Sequence, residues 1–364
     1  MTHTLLRIVG LLAVFTVACS PVAEPLTARQ PRALTMTPAA APRVMWVLDN
    51  SGSLETPVQP VGETCGSCGP GTSPCPLSCL TRKRWLVSAL REFDVPPARH
   101  GAMVYPTDSR CGSDASLTLA PPVAASSSPD AVIDAYEARS PAGGTPTSKA
   151  LQTVLSTAPA EETSDTFVML VTDGMPNCNM ENVNTCNTNA CRCTLSSCVG
   201  SFCSEGCLDD LGVINQAAEL AARGLRLMII GVGEELVAPD ANFFSSVQTS
   251  LPPTCASNAD CPGNSTCVDG LCASRFHLVL TAPDMNAPRV RLRRAMIEST
   301  RCLWISESPF ESSVLTVQVN DTAVEPGPNG WVREGTRRLR FTGTACDELI
   351  AAPDAVLTVT VSPS

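Results

Sequence analysis

The sequence predicts an α/β protein: a doubly wound, mostly parallel sheet with cysteine-rich insertions and a small β-rich C-terminal region. Three short apolar runs bounded by turn residues, 44–48, 167–172 and 225–232, fit strands that are buried on both faces. Segments with apolar residues at helical spacing lie between them, and such alternation is typical of parallel sheets. The first two runs end at Asp49 and Asp173. Because ligands of open α/β sheets usually bind at the carboxyl ends of strands, this edge is the predicted functional site.

Residues 1–19 have the layout of a secretory signal, with a basic start that ends at Arg7 and an apolar stretch over 8–18 that is too short to span a bilayer. The Thr-Val-Ala-Cys sequence at 16–19 resembles a bacterial lipobox, in which Cys19 would become the lipidated first residue. Threonine stands where leucine is usual, so a plain signal peptidase site is the alternative. We therefore expect an exported protein: an outer-membrane or cell-surface lipoprotein, or a periplasmic or secreted protein if the lipobox is not used.

Charge limits the kinds of partner. The 364-residue chain has a formal net charge of −10 and two lysines, Lys83 and Lys149, whereas a nucleic-acid surface needs clustered positive charge. One local basic run, between Arg289 and Arg294, is interpreted as the solvated face of a helix. The sequence thus predicts no nucleic-acid partner, and membrane contact only through a lipid anchor. It leaves the oligomeric state open.

Cysteine usage supports export. Without Cys19, the 19 cysteines of the chain leave an even number, as a fully paired disulfide framework in an oxidising compartment requires. Zinc is the alternative, because Cys65-x-x-Cys68 and Cys75-x-x-x-Cys79 have ligand-like spacing. The disulfide candidates are Cys65, Cys68, Cys75, Cys79, Cys111, Cys178, Cys186, Cys191, Cys193, Cys198, Cys203, Cys207, Cys255, Cys261, Cys267, Cys272, Cys302 and Cys346.

Beyond the signal, composition and the spacing of apolar residues divide the chain into three regions. Residues 20–42 are rich in Pro, Ala and Thr and predict a flexible tether. The α/β domain is expected over 43–301, with cysteine-rich insertions at 55–80, 175–207 and 255–272. Its expected elements, in order, are a strand at 44–48, a helix at 82–93, a strand at 102–105, a small edge strand at 117–119, helices at 129–138 and 148–155, a strand at 167–172, a helix at 211–223, strands at 225–232 and 276–280, and a helix at 290–300.

Beyond Cys302 the sequence pattern changes to that of short strands separated by turn residues. Strands are expected at 314–319, 331–341 and 355–361, within a β-rich region over 302–364. A disulfide between Cys302 and Cys346 is expected to hold this region together.

The polar residues at the strand ends form a pattern. An Asp-x-Ser-x-Ser turn follows the first strand, Gly-Gly-Thr-Pro-Thr precedes a helix, and Thr-Asp-Gly ends the second buried strand. In this order and on these elements they resemble the von Willebrand factor type A (VWA) domain, a Rossmann-like fold, over about residues 43–300. All positions of that family's metal-ion-dependent adhesion site are present: Asp49, Ser51, Ser53, Thr145 and Asp173.

The resemblance implies a hexacoordinated Mg²⁺ or Mn²⁺, with Ca²⁺ as an alternative. Ser51 and Ser53 would be direct ligands, Thr145 would coordinate directly in the ligand-engaged state, and the two aspartates would reach the metal directly or through water. Hard oxygen donors of this kind suit such cations. A metal held mostly by neutral hydroxyls keeps much of its charge, so the family binds a carboxylate of a partner protein there. The expected activity is adhesion to a surface ligand that bears a carboxylate.

Two other classes compete with adhesion. A hydrolase needs a base, and His100 and His277 have no local catalytic motif beside them, while a phosphatase would need a second aspartate where Ser51 stands. A structural or sensory surface module would keep the site but not use it. We therefore expect a protein that is not an enzyme. The insertions after Ser53 and Asp173 are expected at the rim of the site, where they either present the metal or cover it.

Overall fold

The structure is a computed structural model that describes residues 32–57, 81–122, 124–158, 165–179, 206–232, 266–268, 271–273, 277–280, 286–310, 314–352 and 354–362. Its strands are β1 (Arg32–Leu34), β2 (Met36–Pro38), β3 (Arg43–Asp49), β4 (Arg99–Tyr105), β5 (Thr166–Thr172), β6 (Arg226–Val232), β7 (Thr266–Val268), β8 (Leu271–Ala273), β9 (His277–Leu280), β10 (Leu303–Ser306), β11 (Val314–Val319), β12 (Thr322–Val324), β13 (Trp331–Glu334), β14 (Arg338–Phe341) and β15 (Leu357–Ser362). Its α-helices are α1 (Arg82–Arg91), α2 (Asp130–Glu137), α3 (Thr147–Thr157), α4 (Asp210–Ala222), α5 (Asn286–Arg301) and α6 (Gly343–Ala351).

A parallel sheet forms the centre of the α/β domain. Its strand order is β4-β3-β5-β6-β9, and each neighbouring pair is parallel. Strand β3 lies between β4 and β5, so Asp49 at its end is flanked by the ends of two other strands. This confirms the predicted α/β class with a doubly wound parallel sheet.

Helices cover both faces of this sheet. Val44, Trp46 and Leu48 of β3 pack in one core with α1, α2 and α5, whereas Met45 and Val47 pack in the other with α3 and α4. Strand β3 is thus apolar at every position from 44 to 48 because both of its faces are buried. Each large side chain that is fully buried contributes roughly 1.5–3 kcal/mol, so the strand that carries the site is firmly held.

The C-terminal region is a pair of antiparallel sheets. One has the strand order β1-β15-β11-β12 and the other has β13-β14-β10-β2. Side chains of both sheets and of α6 form a third core, which includes Leu315, Leu339, Leu349 and Val359. We call this unit the sandwich. It confirms a β-rich C-terminal part and adds helix α6, which the alternating pattern did not predict.

The tether predicted over 20–42 is wrong in its second part. Arg32–Leu34 and Met36–Pro38 are strands of the sandwich, where β1 pairs with β15 and β2 pairs with β10. Main-chain hydrogen bonds to distant strands order these residues despite their composition. The single strand predicted over 331–341 is instead a hairpin of β13 and β14, with Gly335 at a positive φ of 67° in the turn.

Two disulfides lie in the described part of the chain. Cys302–Cys346, the pair expected from the sequence, joins the start of β10 to α6, and Cys111–Cys178 joins the loops after β4 and β5. Cys207 is also disulfide-bonded. Cys267 and Cys272 lie opposite each other in the β7-β8 hairpin. The remaining candidates, with the signal and Cys19, lie outside the described residues.

The described residues include no helix long and apolar enough to cross a membrane.

Candidate metal site

Asp49 ends β3 as a fully buried carboxylate with both oxygens hydrogen-bonded. The main-chain N–H of Ser51 donates to Asp49 Oδ1 at 2.8 Å, and the Thr172 hydroxyl donates to Oδ2 at 2.6 Å. Burial, and next the charge of Asp173, raise the pKa of Asp49 to about 7. Two carboxylates that share a buried site repel each other, so this edge of the sheet favours a cation.

The serines of the turn connect to Asp173. The Ser51 and Ser53 hydroxyls lie 3.0 Å apart, and the Ser53 hydroxyl donates to Asp173 Oδ1 at 2.8 Å. Ser51 and Asp173 are 2% and 1% exposed, whereas Ser53 between them is exposed, so the chain of oxygens opens to solvent at Ser53. The turn itself is short because Gly52–Glu55 forms a 3₁₀ turn directly after Ser51. Four of the five predicted residues are therefore joined by direct or bridged hydrogen bonds.

The loop that carries Thr145 lies against the same turn. Gly52 donates its N–H to the Gly143 carbonyl at 3.0 Å, and Gly143 has a positive φ of 76°. A Cβ at Gly143 would collide with the main chain of Arg110, so glycine is required there. Thr145 is buried, and within the described residues it makes its hydrogen bonds through its main chain rather than its hydroxyl. Among the described residues, its hydroxyl therefore has no hydrogen-bond partner.

Asn177 and a disulfide hold this loop. Asn177 Oδ1 accepts the N–H of Thr145 at 2.6 Å, and the N–H of Asn177 donates to the Thr145 carbonyl at 3.1 Å. On the other side, Gly144 donates to the carbonyl of Arg110 at 2.7 Å. Cys111 and Cys178, each adjacent in sequence to one of these partners, are disulfide-bonded. We call these contacts the Thr145 clamp.

Two side chains from helices α1 and α2 hold the turn that follows β3. Tyr136 donates its hydroxyl to the main-chain oxygen of Asp49 at 2.7 Å. Lys83 donates to Asn50 Oδ1 at 2.8 Å and lies 4.5 Å from the centre of the Tyr136 ring. Burial lowers the pKa of Lys83 to about 8. Lys83 thus fixes the turn through the side chain of Asn50.

Arg82 is the most important residue that the sequence did not predict. Its Nη1 lies 2.9 Å from Asp173 Oδ2, and the two side chains are 10% and 0% exposed. Arg82 is the first residue of α1, directly after the first cysteine-rich insertion. Nothing in the local sequence pattern indicates that this end of α1 meets the end of β5. The site therefore contains a protein cation beside one of its two carboxylates.

The side chains present fit a divalent cation of the Mg²⁺ class. The described residues hold no cluster of three or more His, Cys, Asp or Glu side chains, so a soft-metal site of that kind is not what they form. They offer two buried carboxylates and two adjacent hydroxyls, with the uncommitted Thr145 hydroxyl on the neighbouring loop. Hard oxygen donors of this kind suit Mg²⁺ and Mn²⁺.

No protein-family model matches the chain, and no curated protein sequence matches it. Similar solved structures include the manganese-loaded TRAP protein of Plasmodium vivax, at 13% identity over 85% of this chain and 95% of that chain, with a TM-score of 0.40. They also include a von Willebrand factor type A protein from Catenulispora acidiphila, at 12% identity over 90% of this chain and 58% of that chain, with a TM-score of 0.36. A third is the vWF domain of the type V pili tip protein Mfa5 from Porphyromonas gingivalis, at 12% identity over 71% of this chain and 95% of that chain, with a TM-score of 0.35.

These structures include VWA proteins, the class that the motif predicts. At these identities and TM-scores the likeness concerns the fold alone.

Proposed function

We propose that this protein is an exported binding or adhesion protein that uses a divalent cation at the edge of its parallel sheet. The observation that carries the proposal is the hydrogen-bonded chain from Ser51 through Ser53 to Asp173, beside the buried carboxylate of Asp49. Ser51 and Ser53 would hold a Mg²⁺ or Mn²⁺ directly, with Thr145 as a further ligand. Asp49 orients the turn by accepting the N–H of Ser51, and it supplies charge.

The partner proposed is a protein or other surface ligand that bears a carboxylate. A divalent cation held mainly by neutral hydroxyls retains positive charge, and it supplies an attraction for one more anionic oxygen. Among the described residues, the carboxylates and serine hydroxyls of the site are bonded to one another, and a carboxylate of the partner would supply the further anionic oxygen. An enzymatic role is not part of the proposal, because the buried His100 is held by Trp46 and the Ser126 carbonyl rather than placed at the site.

Metal titration tests the proposal. Wild-type protein should bind Mn²⁺ in calorimetry, and Asp49→Asn should weaken that binding by about 10- to 100-fold, as loss of an orienting group at a metal site commonly does. Thr145→Val should also weaken it while leaving the unfolding free energy unchanged, because the Thr145 hydroxyl is not hydrogen-bonded to the described residues.

Asp134→Asn is the matched control. It removes the same charge from an exposed position on α2, so Mn²⁺ affinity should stay as in the wild type. Folded wild-type protein that binds neither Mn²⁺ nor Mg²⁺ would overturn the proposal.

One observation favours a second candidate, a surface module that does not use a metal. Arg82 already supplies a positive charge to Asp173. In that case the wild type would bind no divalent cation, and capture of a partner would ignore both chelator and Asp49→Asn.

A further inference from the structure

Arg82 shares Asp173 with a predicted metal ligand. Oxygen Oδ1 of Asp173 accepts the Ser53 hydroxyl at 2.8 Å, and Oδ2 receives the Arg82 guanidinium at 2.9 Å. Because the side chain of Asp173 is fully buried, water screens this ion pair little. The carboxylate thus divides its two oxygens between the hydroxyl chain of the site and a fixed cation.

The positive charge of Arg82 stands at the start of helix α1, where it destabilises the helix unless another contact compensates. Helix α1 begins with Arg82, Lys83 and Arg84 and has no acidic residue in its first turn. Positive side chains at a helix N-terminus oppose the helix dipole. Arg84 is exposed, but Arg82 and Lys83 are buried and each has a partner at the end of the sheet. The ion pair with Asp173 offsets the unfavourable placement of Arg82.

The base of the first insertion fixes where Arg82 lies. Pro57 and Thr81 form an isolated β-bridge, and Arg82 donates its N–H to the Thr56 carbonyl at 3.0 Å. Thr81 also accepts the N–H of Arg84 at the start of the helix. The chain around the insertion is therefore closed at its base, next to the turn that carries Ser51 and Ser53.

The net charge of the site depends on Arg82. Asp49 and Asp173 can contribute two negative charges, which a divalent cation would balance in full. Arg82 adds one positive charge, so the loaded site would carry a net positive charge and would attract an anion more strongly. We infer that Arg82 is a specificity-determining residue that weakens metal binding and strengthens binding of the partner's carboxylate at the same site.

This inference rests on the proposed function, and Arg82→Gln tests it. The variant should bind Mn²⁺ about tenfold more tightly than the wild type in calorimetry. Its Mn²⁺-loaded form should bind acetate about tenfold more weakly, measured by electron paramagnetic resonance of the bound Mn²⁺. If the role of Arg82 were purely structural, the substitution would weaken the binding of both Mn²⁺ and acetate. Changes of the two affinities in opposite directions therefore distinguish the specificity role.

Two further variants secure the test. Arg84→Gln removes the same charge from the exposed face of the same turn and should leave both affinities unchanged. Arg82→Lys keeps the charge on a shorter side chain, and its Mn²⁺ affinity should lie between those of the wild type and Arg82→Gln. If Arg82→Gln does not fold, the lysine variant decides on its own.

The outcomes separate the two claims. Mn²⁺ binding that is unchanged or weaker in Arg82→Gln, or unchanged in Arg82→Lys where that variant decides, overturns the role of Arg82 and leaves the metal site intact. Tighter Mn²⁺ binding without weaker acetate binding also overturns it. Absence of Mn²⁺ binding in every folded variant, Arg82→Gln included, overturns the metal site and the inference together. Mn²⁺ binding by Arg82→Gln and not by the wild type overturns the proposed function, and with it the role of Arg82 in binding the partner's carboxylate.

Discussion

At the scale of single residues, His100 shows how burial can fix a titratable group in one form. Trp46 donates its Nε1–H to His100 Nδ1 at 3.1 Å, so the other ring nitrogen carries the proton, 3.2 Å from the Ser126 carbonyl oxygen. Burial lowers the pKa of His100 to about 4, although the hydrogen bond to Ser126 opposes the shift. The ring is therefore a neutral core group on β4 and is not placed to act as a base.

This arrangement predicts a specific pH dependence of stability. The folded-state pKa of His100 lies below the unfolded value of about 6.5, so the stabilisation from neutral His100 is complete above that pH and is lost as the pH falls toward 4. Between pH 7 and 4 the wild type should lose about 3 kcal/mol more unfolding free energy than His100→Gln, which cannot titrate. Urea denaturation at each pH measures the difference, and equal pH profiles would contradict it.

The sequence could predict some residues of the site and not others. Asp49, Ser51 and Ser53 stand in one turn, so a local pattern contains their relationship, and an apolar strand leads into Asp173 in the same way. Arg82 reaches Asp173 across 91 positions of sequence. Its contact depends on where α1 starts after an insertion, which is a property of tertiary structure.

At the scale of elements, the Thr145 clamp makes one unit from three loops. The loop after β4 contacts Gly144, the loop after β5 contacts Thr145, and the Cys111–Cys178 disulfide joins them. The loop between α2 and α3 is thus held from both sides. The clamp holds Thr145 in place before a metal binds. Binding through the Thr145 hydroxyl would therefore cost less conformational entropy.

Removing this disulfide should therefore affect both stability and the site. The double variant Cys111→Ser/Cys178→Ser should lose about 2–4 kcal/mol of unfolding free energy and bind Mn²⁺ several-fold more weakly than the wild type. Thermal unfolding and calorimetry measure the two effects. Weakened stability with unchanged Mn²⁺ affinity would show that the clamp does not position Thr145.

The second described disulfide provides the matched control. Cys302 and Cys346 are 44 positions apart and Cys111 and Cys178 are 67 apart, so loop entropy differs by only about 0.4 kcal/mol. Cys302→Ser/Cys346→Ser should therefore cost similar stability, yet leave Mn²⁺ affinity unchanged because the bond lies in the sandwich.

The spacing of apolar residues predicts a helix or strand well where the pattern extends over the whole element. The buried strands β3, β5 and β6 and helices such as α1 and α4 are found close to their expected ranges because their apolar faces pack on the sheet. Strands β1, β2 and β12 have three residues each, too few for a period. Their order comes from pairing with distant strands, such as Arg32 with Val361, which local sequence does not reveal.

At the scale of the whole molecule, the chain passes twice through the sandwich. Strands β1 and β2 precede the α/β domain in sequence, yet they pair with strands that follow it. Asp165, just before β5, connects the two units. Its carboxylate contacts Arg226 of β6 at 3.1 Å, and Arg338 and Arg340 of β14 at 2.6 and 2.8 Å.

This ion cluster determines the last prediction. Burial alone would raise the pKa of Asp165, but the charges of Arg226, Arg340 and Arg338 outweigh burial and hold the pKa well below its ordinary value. Asp165 therefore contributes stability that is complete above the unfolded-state pKa of about 3.9 and is lost as the pH falls towards its folded-state pKa. Asp165→Asn leaves the half-buried Arg226 without this counter-ion and leaves Arg338 and Arg340 with Glu334 alone. At pH 7 it should therefore cost about 3 kcal/mol, the lower end for a broken buried pair, and flatten the acid limb of the stability profile.

Asp134→Asn is the control for this effect, because its ion pair with Arg91 at 3.5 Å is exposed and screened by water, so its loss should change the unfolding free energy little. Urea denaturation at pH 7 and at several values below pH 4 measures both variants. We expect Asp165→Asn alone to loosen the sandwich from the α/β domain, so that its unfolding separates into two transitions. Equal and small losses in both variants would mean that Asp165 does not hold the two units together.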